Sequence, residues 1–484
     1  MNRELKRISA LVIAMFAALF VASSIIQVFQ TDNLNADPRN QRARADQYQI
    51  QRGQILTADG KAIVTSPRSG DTFQFGRKYA DGKLYAAVTG YYNPIGAPTG
   101  IEGALNAQLA GTSSDQVLDR LQNIITGQSP KGASVQLTIQ PKVQKAAYDA
   151  LGSQRGAVVA IEPKTGKILA LVSKPSFDPN AIADHSTGVA AYDSLSAQSP
   201  SPLVNRAIAG NLNPPGSTFK LITTSAALES GKYTSSSSFP NPPVYTLPGT
   251  STTIHNADGE YCGASKKASI FTAVKLSCNI PMAQLGAKLG SSALRDQAEK
   301  FGFDKPLSIP VKVTPSVYPP GDLNSAETAQ TAFGQYEVRA TPLQMAMVAA
   351  TIGNGGVEMK PNLVDKVLSP SLATVQSFSP ETLGSPISAS TASAVKAMMV
   401  ASVASGAATN ARIDGVTVAG KTGTAQNGAD QPYTLWFTGF APADDPKVAV
   451  AVVLENGGGL GQSGFGNLVA APIAKQVMEA VLNG

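Results

Sequence analysis

A serine followed three residues later by a lysine is the feature of this 484-residue chain that most directly suggests chemistry. Ser217 and Lys220 occur in Asn213-Pro-Pro-Gly-Ser-Thr-Phe-Lys220, where two prolines and a glycine are typical of a turn before a helix. Residues i and i+3 share a helix face, so the lysine amine can reach the serine hydroxyl. A serine needs an adjacent base to act as a nucleophile, and a desolvated lysine can be that base. The helix start also offers backbone N–H groups to an oxyanion.

Two motifs in the chain occur twice, and their surroundings separate the copies. Ser393 and Lys396 repeat the serine–lysine spacing inside an alanine-rich segment with no turn before it, which is typical of an ordinary helix face. Lys-Thr-Gly at 164–166 fits a hairpin turn, where glycine supplies the positive φ. Lys421-Thr-Gly-Thr424 instead follows the run 416–420 and predicts a strand that presents a cation, hydroxyls and N–H groups to a bound peptide.

A third element, Ser277-Cys278-Asn279, ends a segment that is predicted to be helical. Ser and Asn are common at helix ends, so this element alone indicates only a polar terminus. In chain order, however, S-x-x-K at 217, S-x-N at 277 and K-T-G at 421 resemble the signature of penicillin-binding proteins and class A β-lactamases, with Cys278 in place of Asp. The three motifs together predict a serine acyltransferase site.

Composition narrows the chemistry further. The chain has two histidines, His185 and His255, and two cysteines, which disfavours a structural zinc site, a multi-histidine metal centre and an iron–sulfur cluster. The same scarcity favours lysine over histidine as the base of a serine enzyme. Hydrophobic residues make up 43% of the chain and charged residues 15%, which excludes a disordered protein and a transporter with many spans. The net charge of +6 is scattered, so nucleic-acid binding is disfavoured.

The first 30 residues predict a membrane anchor. An uncharged apolar run at 8–30 follows three basic residues within 1–7. About 22 helical residues span roughly 33 Å, enough for the hydrocarbon core of a bilayer. A cleaved signal peptide is the alternative, with a cleavage site at 21–24, but the apolar run continues past that site. Three arginines within 39–44 balance the basic residues before the run, so charge does not decide the orientation.

Strands near both ends of the remaining chain must position the motifs. Residues 31–133 are polar and broken by turns, which is typical of a small α+β region. The predicted strands are 136–139, 157–161, 167–172, 416–424, 434–440 and 448–455. The predicted helices are 141–151, 219–229, 270–278, 293–301, 342–352, 391–404 and 468–482. A sheet made from the early hairpin and the three late strands joins distant parts of the chain.

The resemblance extends beyond the three motifs to nearly the whole chain. Several segments look like class B penicillin-binding proteins, in particular the actinobacterial penicillin-binding protein A type. These segments are Arg52-Gly-Gln-Ile55, the hairpin around Lys164, Pro215-Gly-Ser-Thr-Phe-Lys220, Thr341-Pro-Leu-Gln-Met-Ala346, Gly420-Lys-Thr-Gly-Thr-Ala425 and Trp436-Phe-Thr-Gly-Phe-Ala-Pro442. The region between the anchor and the hairpin is too short for the glycosyltransferase domain of the bifunctional class A proteins.

The resemblance implies an α+β fold of the penicillin-binding and serine β-lactamase type. Its transpeptidase domain has a five-stranded antiparallel sheet flanked by helices and an all-helical subdomain, and it stands on an extended α+β pedestal with one transmembrane helix. The expected domains are a cytoplasmic tail at 1–7, the anchor at 8–30, a pedestal for dimerisation or partner binding at 31–133 and the transpeptidase domain at 134–484.

Carried onto this chain, the resemblance implies a D,D-transpeptidase that acts through an acyl-enzyme. Ser217 is expected to attack the D-Ala-D-Ala carbonyl of a peptidoglycan stem peptide, with Lys220 as its base. Ser277 is expected to relay a proton to the leaving nitrogen, and Asn279 to bind the substrate amide and hold Lys220. The acceptor amine of a second stem peptide then resolves the ester and forms a cross-link. β-Lactams are expected to acylate the same serine, and no metal or organic cofactor is needed.

The Lys-Thr-Gly strand is expected to bind the substrate. Lys421, with Thr422 and Thr424, is expected to bind the terminal carboxylate, and Gly423 belongs to the same motif. The backbone N–H groups of Ser217 and Thr424 are expected to form the oxyanion hole.

Two positions depart from the family pattern. Tyr336 stands where the family usually has glycine, which affects the shape of a loop and not the chemistry. Cys278 replaces a small or acidic residue, and Cys262 is the other cysteine. In an extracytoplasmic domain the two are hypothesised to form a disulfide that pins the Ser277 loop, and the alternative is one buried and one exposed free thiol.

Three other functions share parts of this signature. A β-lactamase must deacylate quickly, and the sequence identifies no carboxylate for that step. A D,D-carboxypeptidase differs only in using water as the acceptor. A non-catalytic scaffold or β-lactam sensor is disfavoured by the complete motifs. The expected location is the cell membrane, with the N-terminus cytoplasmic and the catalytic domain outside, where cell-wall synthesis or division proteins are expected to bind the pedestal.

Overall fold

The predicted anchor is a long N-terminal helix in the computed structural model, which describes residues 2–30, 34, 49–71, 73–93, 96–113, 116, 129, 131–210, 212–256, 259–263 and 265–484. Helix α1, Asn2–Ser24, continues into a π-helical turn, Ile25–Phe29. The stretch Arg3–Val28 is long and apolar enough to cross a membrane, and its large apolar side chains are exposed. The basic residues within 39–44 lie outside the described residues.

The rest of the described chain contains strands and helices that are joined by turns and loops. The strands are β1 Ile55–Leu56, β2 Ala62–Thr65, β3 Lys78–Tyr79, β4 Ser134–Leu137, β5 Gly156–Ile161, β6 Ile168–Lys174, β7 Ser238–Pro240, β8 Val244–Thr246, β9 Thr253–His255, β10 Lys267–Ser269, β11 Leu307–Ser308, β12 Lys312–Val313, β13 Glu358–Met359, β14 Val364–Leu368, β15 Thr374–Ser377, β16 Thr382–Gly384, β17 Ala419–Ala425, β18 Thr434–Ala441 and β19 Val448–Leu454. The helices after α1 are α2 Gly82–Thr89, α3 Gly100–Ala104, α4 Asn106–Leu109, α5 Pro141–Leu151, α6 Pro179–Ala183, α7 Gly188–Ser196, α8 Lys220–Glu229, α9 Ile270–Lys275, α10 Ile280–Leu289, α11 Ser291–Lys300, α12 Ser325–Thr331, α13 Pro342–Gly353, α14 Ala389–Ser405 and α15 Gly466–Leu482.

A five-stranded antiparallel sheet lies at the centre of the region that carries the three motifs, which confirms the prediction. Its order is β17-β18-β19-β5-β6, so the late strands join the early hairpin where β19 pairs with β5. Val450 and Val452 belong to an apolar cluster with α5 and α15, whereas Ala449 and Ala451 belong to one with α8 and α13. This alternation buries both faces of the sheet. Strand β17 forms one edge.

A mostly helical subdomain comes between the two halves of the sheet along the chain. Helix α10 packs against α11 and α12, and Ala283 of α10 shares an apolar cluster with Ala329 of α12. The resemblance implied that this subdomain is all-helical. The structure adds the two-stranded ribbons β7–β10 and β8–β9 to the helices, because the intervening loops pair with each other instead of remaining irregular.

A second sheet links the N-terminal region to the catalytic region. Its order is β15-β14-β4-β1-β2-β3. Val135 of β4 lies beside Ile55 of β1 in a parallel pair and opposite Val367 of β14 in an antiparallel pair. The domain boundary predicted after residue 133 therefore passes through one continuous sheet, since β14 and β15 come from far along the chain.

The N-terminal region contains a cluster of buried charged side chains. Glu102 is fully buried, and its carboxylate accepts from Arg52 Nε (2.7 Å) and Arg77 Nε (2.5 Å). The Tyr79 hydroxyl donates to the same carboxylate (3.2 Å). The two guanidinium groups hold the pKa of Glu102 below its usual value against the effect of burial, so the carboxylate stays ionised.

Candidate active site

Ser217 lies in a tight turn that leads directly into helix α8. A 3-10 turn, Gly216–Phe219, precedes α8, and residues three apart in such a turn lie on the same side. Lys220 is the first residue of α8. The prediction of a serine at a helix start with a lysine on its face therefore matches the local structure. Ser217 is 9% exposed, so its hydroxyl lies in a largely dehydrated environment.

The serine turn is held from two sides. The N–H of Gly216 donates to the carbonyl of Gly334 (2.9 Å), and the indole N–H of Trp436 donates to the carbonyl of Pro214 (2.9 Å). Gly216 has a φ of 53°, and a Cβ atom there would lie 3.0 Å from the Cβ of Ala425 in β17. Only glycine combines this backbone conformation with this close approach. The turn is consequently fixed against the edge strand.

Lys220 is fully buried and faces the second motif. Its Nζ donates to the carbonyl of Ser277 (2.7 Å) and to Oδ1 of Asn279 (2.8 Å). Burial lowers the pKa of Lys220 well below the ordinary lysine value, and the charge of Lys421 lowers it further. A neutral amine has two N–H groups and one lone pair. Since Ser277 and Asn279 accept from the two N–H groups, the lone pair remains available to accept a proton.

The second motif lies in the link between α9 and α10, and here a predicted element is wrong. The helix predicted to reach residue 278 ends at Lys275, and Ser277 has a φ of 64°. A left-handed residue cannot continue an α-helix, so the chain turns before α10 begins at Ile280. Cys278, which follows, forms a disulfide with Cys262. This turn places the Ser277 hydroxyl beside Lys421, whose Nζ donates to it (2.8 Å).

Lys421 projects from the edge strand β17 into the same buried space. Its side chain is fully buried, and its Nζ also donates to the carbonyl of Thr422 (2.8 Å). Burial lowers the pKa of Lys421 to about 7. The nearby charge of Lys421 lowers the pKa of Lys220, and we infer that Lys220 loses its proton first as the pH rises. This order makes Lys220, three residues after Ser217, the better suited of the two amines to act as a base.

The two threonines of the third motif have different partners. Thr422 is buried, and its hydroxyl donates to the carbonyl of Ala407 (3.1 Å), which ties β17 to the segment after α14. Thr424 is only half-buried, and its hydroxyl accepts from the N–H of Gly466 (3.2 Å) at the start of α15. The hydroxyl hydrogen of Thr424 remains to donate to a ligand. Thr424 is therefore better placed than Thr422 to bind a carboxylate.

Close packing brings the serine turn and β17 side by side. A Cβ atom on Gly423 would lie 2.9 Å from the carbonyl of Pro215 and 3.2 Å from Cγ2 of Thr218, so a side chain does not fit. Strand β17 pairs with β18 along one edge, with Thr424 opposite Leu435. Its other edge faces the serine turn. This approach is the arrangement that the predicted oxyanion hole of the Ser217 and Thr424 N–H groups requires.

The second copies of the motifs lie elsewhere, as predicted. Ser393 and Lys396 belong to helix α14 and are exposed and partly exposed, respectively. Lys164 is exposed and forms an ion pair with Asp445 (2.5 Å). Gly166 has a φ of 76°, in the turn between β5 and β6.

Tyr336, which stands where the family usually has glycine, has a φ of 59°. Its hydroxyl donates to Glu327 (3.1 Å).

Two residues absent from the prediction complete the site. Nδ2 of Asn279 donates to the carbonyl of His255 (2.9 Å), which turns Oδ1 toward Lys220. Oδ1 of Asn256 accepts from the N–H of Asn279 (3.0 Å). Both contacts form only when the loop before β10 folds against α10. No local spacing in the sequence signals them.

Comparisons with known proteins agree with this geometry. The family model described as "Penicillin binding protein transpeptidase domain" matches residues 156–479, and the one described as "Penicillin binding protein A dimerisation domain" matches residues 52–135. The peptidoglycan D,D-transpeptidase PbpA of Mycolicibacterium smegmatis is 41% identical over 495 residues, covering 100% of this chain and 99% of that protein. The protein of the same name from Mycobacterium tuberculosis H37Rv is 42% identical, with 100% of each chain covered.

Solved structures show the same similarity. The ceftriaxone acyl-enzyme complex of penicillin-binding protein A from M. tuberculosis superposes with a TM-score of 0.87 at 40% identity, covering 90% of this chain and 100% of that one. The D,D-transpeptidase domain from Eggerthella lenta gives a TM-score of 0.78 at 33% identity, covering 90% and 99%. The fold and the three converging motifs define a penicillin-binding serine transpeptidase domain. The chain belongs to this family as a class B penicillin-binding protein of the penicillin-binding protein A type.

Proposed function

We propose that the chain is a peptidoglycan D,D-transpeptidase that cross-links stem peptides through an acyl-enzyme on Ser217 and is a target of β-lactam antibiotics. The observation that carries the proposal is the environment of Lys220. This amine is fully buried, has a lowered pKa and donates to the carbonyl of Ser277 and to Oδ1 of Asn279. The acyl-enzyme complex of the related M. tuberculosis protein supports the covalent step.

In the acylation step the neutral Lys220 amine takes the proton of the Ser217 hydroxyl as the oxygen attacks the carbonyl of the penultimate D-Ala. The N–H groups of Ser217 and Thr424 stabilise the oxyanion. The amide bond breaks, an ester forms on Ser217, and the terminal D-Ala leaves with the proton that Lys220 took, relayed by Ser277. Ser277 is suited to this relay because its hydroxyl accepts from Lys421 and keeps its own hydrogen to donate.

Substrate binding falls to β17 and Asn279 in this proposal. The Lys421 ammonium and the Thr424 hydroxyl bind the terminal carboxylate, and Gly423 lets the strand approach the serine turn. Asn279 both holds Lys220 and binds the substrate amide. Thr422 contributes by fixing the strand. The acceptor amine of a second stem peptide then attacks the ester carbonyl, and the cross-linking amide forms as the ester bond to Ser217 breaks. The excess proton of the amine passes through Lys220 to the Ser217 oxygen.

The membrane arrangement forms part of the proposal. Residues 1–7 form a cytoplasmic tail, and 8–30 cross the membrane once. Residues 31–133 form the pedestal, where cell-wall synthesis or division proteins bind, and 134–484 form the extracytoplasmic catalytic domain. The Cys262–Cys278 disulfide supports an oxidising compartment for that domain.

Two assays test the proposal. Incubation with fluorescent penicillin should give a long-lived adduct on Ser217, and Ser217→Ala should abolish it. Rapid turnover of the drug, or no labelling of folded protein, would contradict the acyl-enzyme. Incubation with lipid-linked glycan should then give cross-linked peptide dimers. Release of D-Ala without dimers would indicate a D,D-carboxypeptidase instead.

A further inference from the structure

The first turn of helix α10 satisfies its backbone donors in an uncommon way. Asn279 occupies the N-cap position, where an asparagine side chain normally accepts an N–H of the first turn. Here it makes no such bond: the Asn279 backbone is helical (φ −85°, ψ −48°), its Oδ1 accepts from Lys220 and its Nδ2 donates to the carbonyl of His255. Pro281, the second helical residue, has no N–H to offer. The helix start therefore takes its acceptor from another part of the chain.

Asn256 supplies this acceptor. Its Oδ1 accepts from the N–H groups of Asn279 (3.0 Å) and Ile280 (3.2 Å). Its Nδ2 donates to Oδ1 of Asn241 (2.9 Å) and to the carbonyl of Glu260 (3.2 Å). Since Oδ1 faces two donors and Nδ2 faces two acceptors, the amide has one orientation. Asn256 is 4% exposed, which leaves little access for water to take its place.

A second buried amide fixes Asn256 in turn. Asn241 is fully buried, and its Nδ2 donates to the carbonyls of Cys262 (2.9 Å) and Ser265 (2.8 Å). Asn241 and Asn256 therefore connect the loop that carries Cys262 to the start of α10. This connection runs through side-chain amides and is separate from the disulfide.

We propose that Asn256 is a positioning residue for acylation: it anchors the backbone N–H groups of Asn279 and Ile280 and so fixes the place from which the Asn279 side chain holds Lys220. Without Asn256, two buried N–H groups lose their acceptor. The backbone that carries Asn279 then loses its anchor, so its Oδ1 is no longer held against Lys220 and the amine loses one of its two acceptors. This inference rests on the proposed function.

The test compares Asn256→Ala, Asn279→Ala and the double variant in acylation of Ser217 by fluorescent penicillin. Labelling of the wild-type protein tests the proposed function, and only the variants relative to it test this inference. We expect Asn256→Ala to slow acylation by roughly tenfold, the effect of one lost buried hydrogen-bond acceptor. In the Asn279→Ala background the same substitution should change the rate by less than about threefold, because residues that act as one unit are not additive.

A pH profile separates positioning from general loss of stability. Loss of an acceptor for its ammonium form lowers the pKa of Lys220, so the ascending limb of the Asn256→Ala rate profile should move to lower pH. Gln297→Ala is the matched control. Gln297 lies in helix α11, outside the site, is also buried, and donates from Nε2 to the carbonyl of Pro386. This variant should lower the unfolding temperature without moving the limb.

Asn256→Asp extends the test to a variant that keeps the acceptor oxygen for α10. Its carboxylate cannot donate to Asn241 and Glu260, so the unfolding temperature should fall, but its added charge should move the limb to higher pH, opposite to the shift of Asn256→Ala. The proposal is overturned by additive effects of Asn256→Ala and Asn279→Ala, by an Asn256→Ala profile with an unmoved limb, or by an Asn256→Asp limb that moves to lower pH.

Discussion

Two clusters of buried charged groups in this protein differ in whether each charge has a partner of the opposite sign. In the N-terminal region, Glu102 lies between Arg52 and Arg77, and each charge has a partner of the opposite sign. In the catalytic region, Lys220 and Lys421 are both fully buried, and the charge of one lowers the pKa of the other. Burying ionised groups costs several kcal/mol each unless they are paired.

The two arrangements of charge lead to different chemistry. The paired cluster keeps its groups ionised, and so its contribution is structural. The lysine cluster keeps at least one amine neutral near pH 7, which a general base requires and which an ordinary exposed lysine does not provide. The backbone at Ser277, which contacts both lysines, is also strained, with a φ of 64°. We infer that the catalytic cluster costs stability in return for reactivity.

The largest expected effect comes from Lys220→Met, which keeps the volume of the side chain and removes the base. Acylation by fluorescent penicillin should fall by about 10²–10⁴-fold, the usual contribution of a positioned general base. The unfolding temperature should not fall, since a buried amine is replaced by an apolar group. Lys396→Met, in the second serine–lysine pair, is the control and should label at the wild-type rate. Equal loss in both variants would break the distinction between the two pairs.

The opposite result is expected for Glu102→Gln in the paired cluster. Removing one partner of a buried ion network should lower the unfolding free energy by about 3–5 kcal/mol, because two guanidinium groups lose their counter-charge. The protein that remains folded should acylate at the wild-type rate. Glu381→Gln breaks an exposed pair with Lys360 (2.7 Å) and should cost less than about 1 kcal/mol. A similar small loss for Glu102→Gln would show that the buried network is not stabilising.

A smaller effect is expected in the pH dependence of stability. The folded-state pKa of Lys421 is about 7, below the unfolded value, so unfolding takes up a proton between these values. Stability should therefore rise with pH over roughly 7.5–9.5, by up to about 1.4 kcal/mol per pH unit for each lysine that is neutral in the folded state. Denaturation of the wild type and of Lys421→Met at several pH values measures this slope. An equal slope in both proteins would mean that Lys421 is charged when folded.

The sequence predicted the catalytic pair more reliably than its surroundings. Ser217 and Lys220 are neighbours on one turn, so their spacing alone predicts their proximity. The contact of Lys421 with Ser277 joins distant segments, and only the resemblance to a family suggested it. The helix prediction failed at Ser277 because a polar residue at a helix end gives no sign of a left-handed backbone. The role of Asn256 depends on a tertiary contact for which the sequence has no pattern.

The same reasoning applies to the sheets. The five-stranded sheet was predictable because both of its faces are buried, which makes its strands nearly continuous apolar runs. The second sheet was not, since β1 and β3 have two residues each and β15 is exposed. Composition also gives no sign that β1 and β4 pair across the boundary predicted after residue 133.

The rate of Ser217 acylation by fluorescent penicillin, measured under limiting drug from pH 5 to 10, tests the central claim most directly. A rate at limiting drug reports the free enzyme. The account predicts a bell-shaped profile: the rate rises as Lys220 loses its proton and falls as Lys421, with a pKa of about 7, loses the charge that binds the carboxylate. A rate that continues to rise up to pH 10, toward the ordinary lysine pKa of about 10.4, would contradict it, because Lys220 would then be charged at neutral pH.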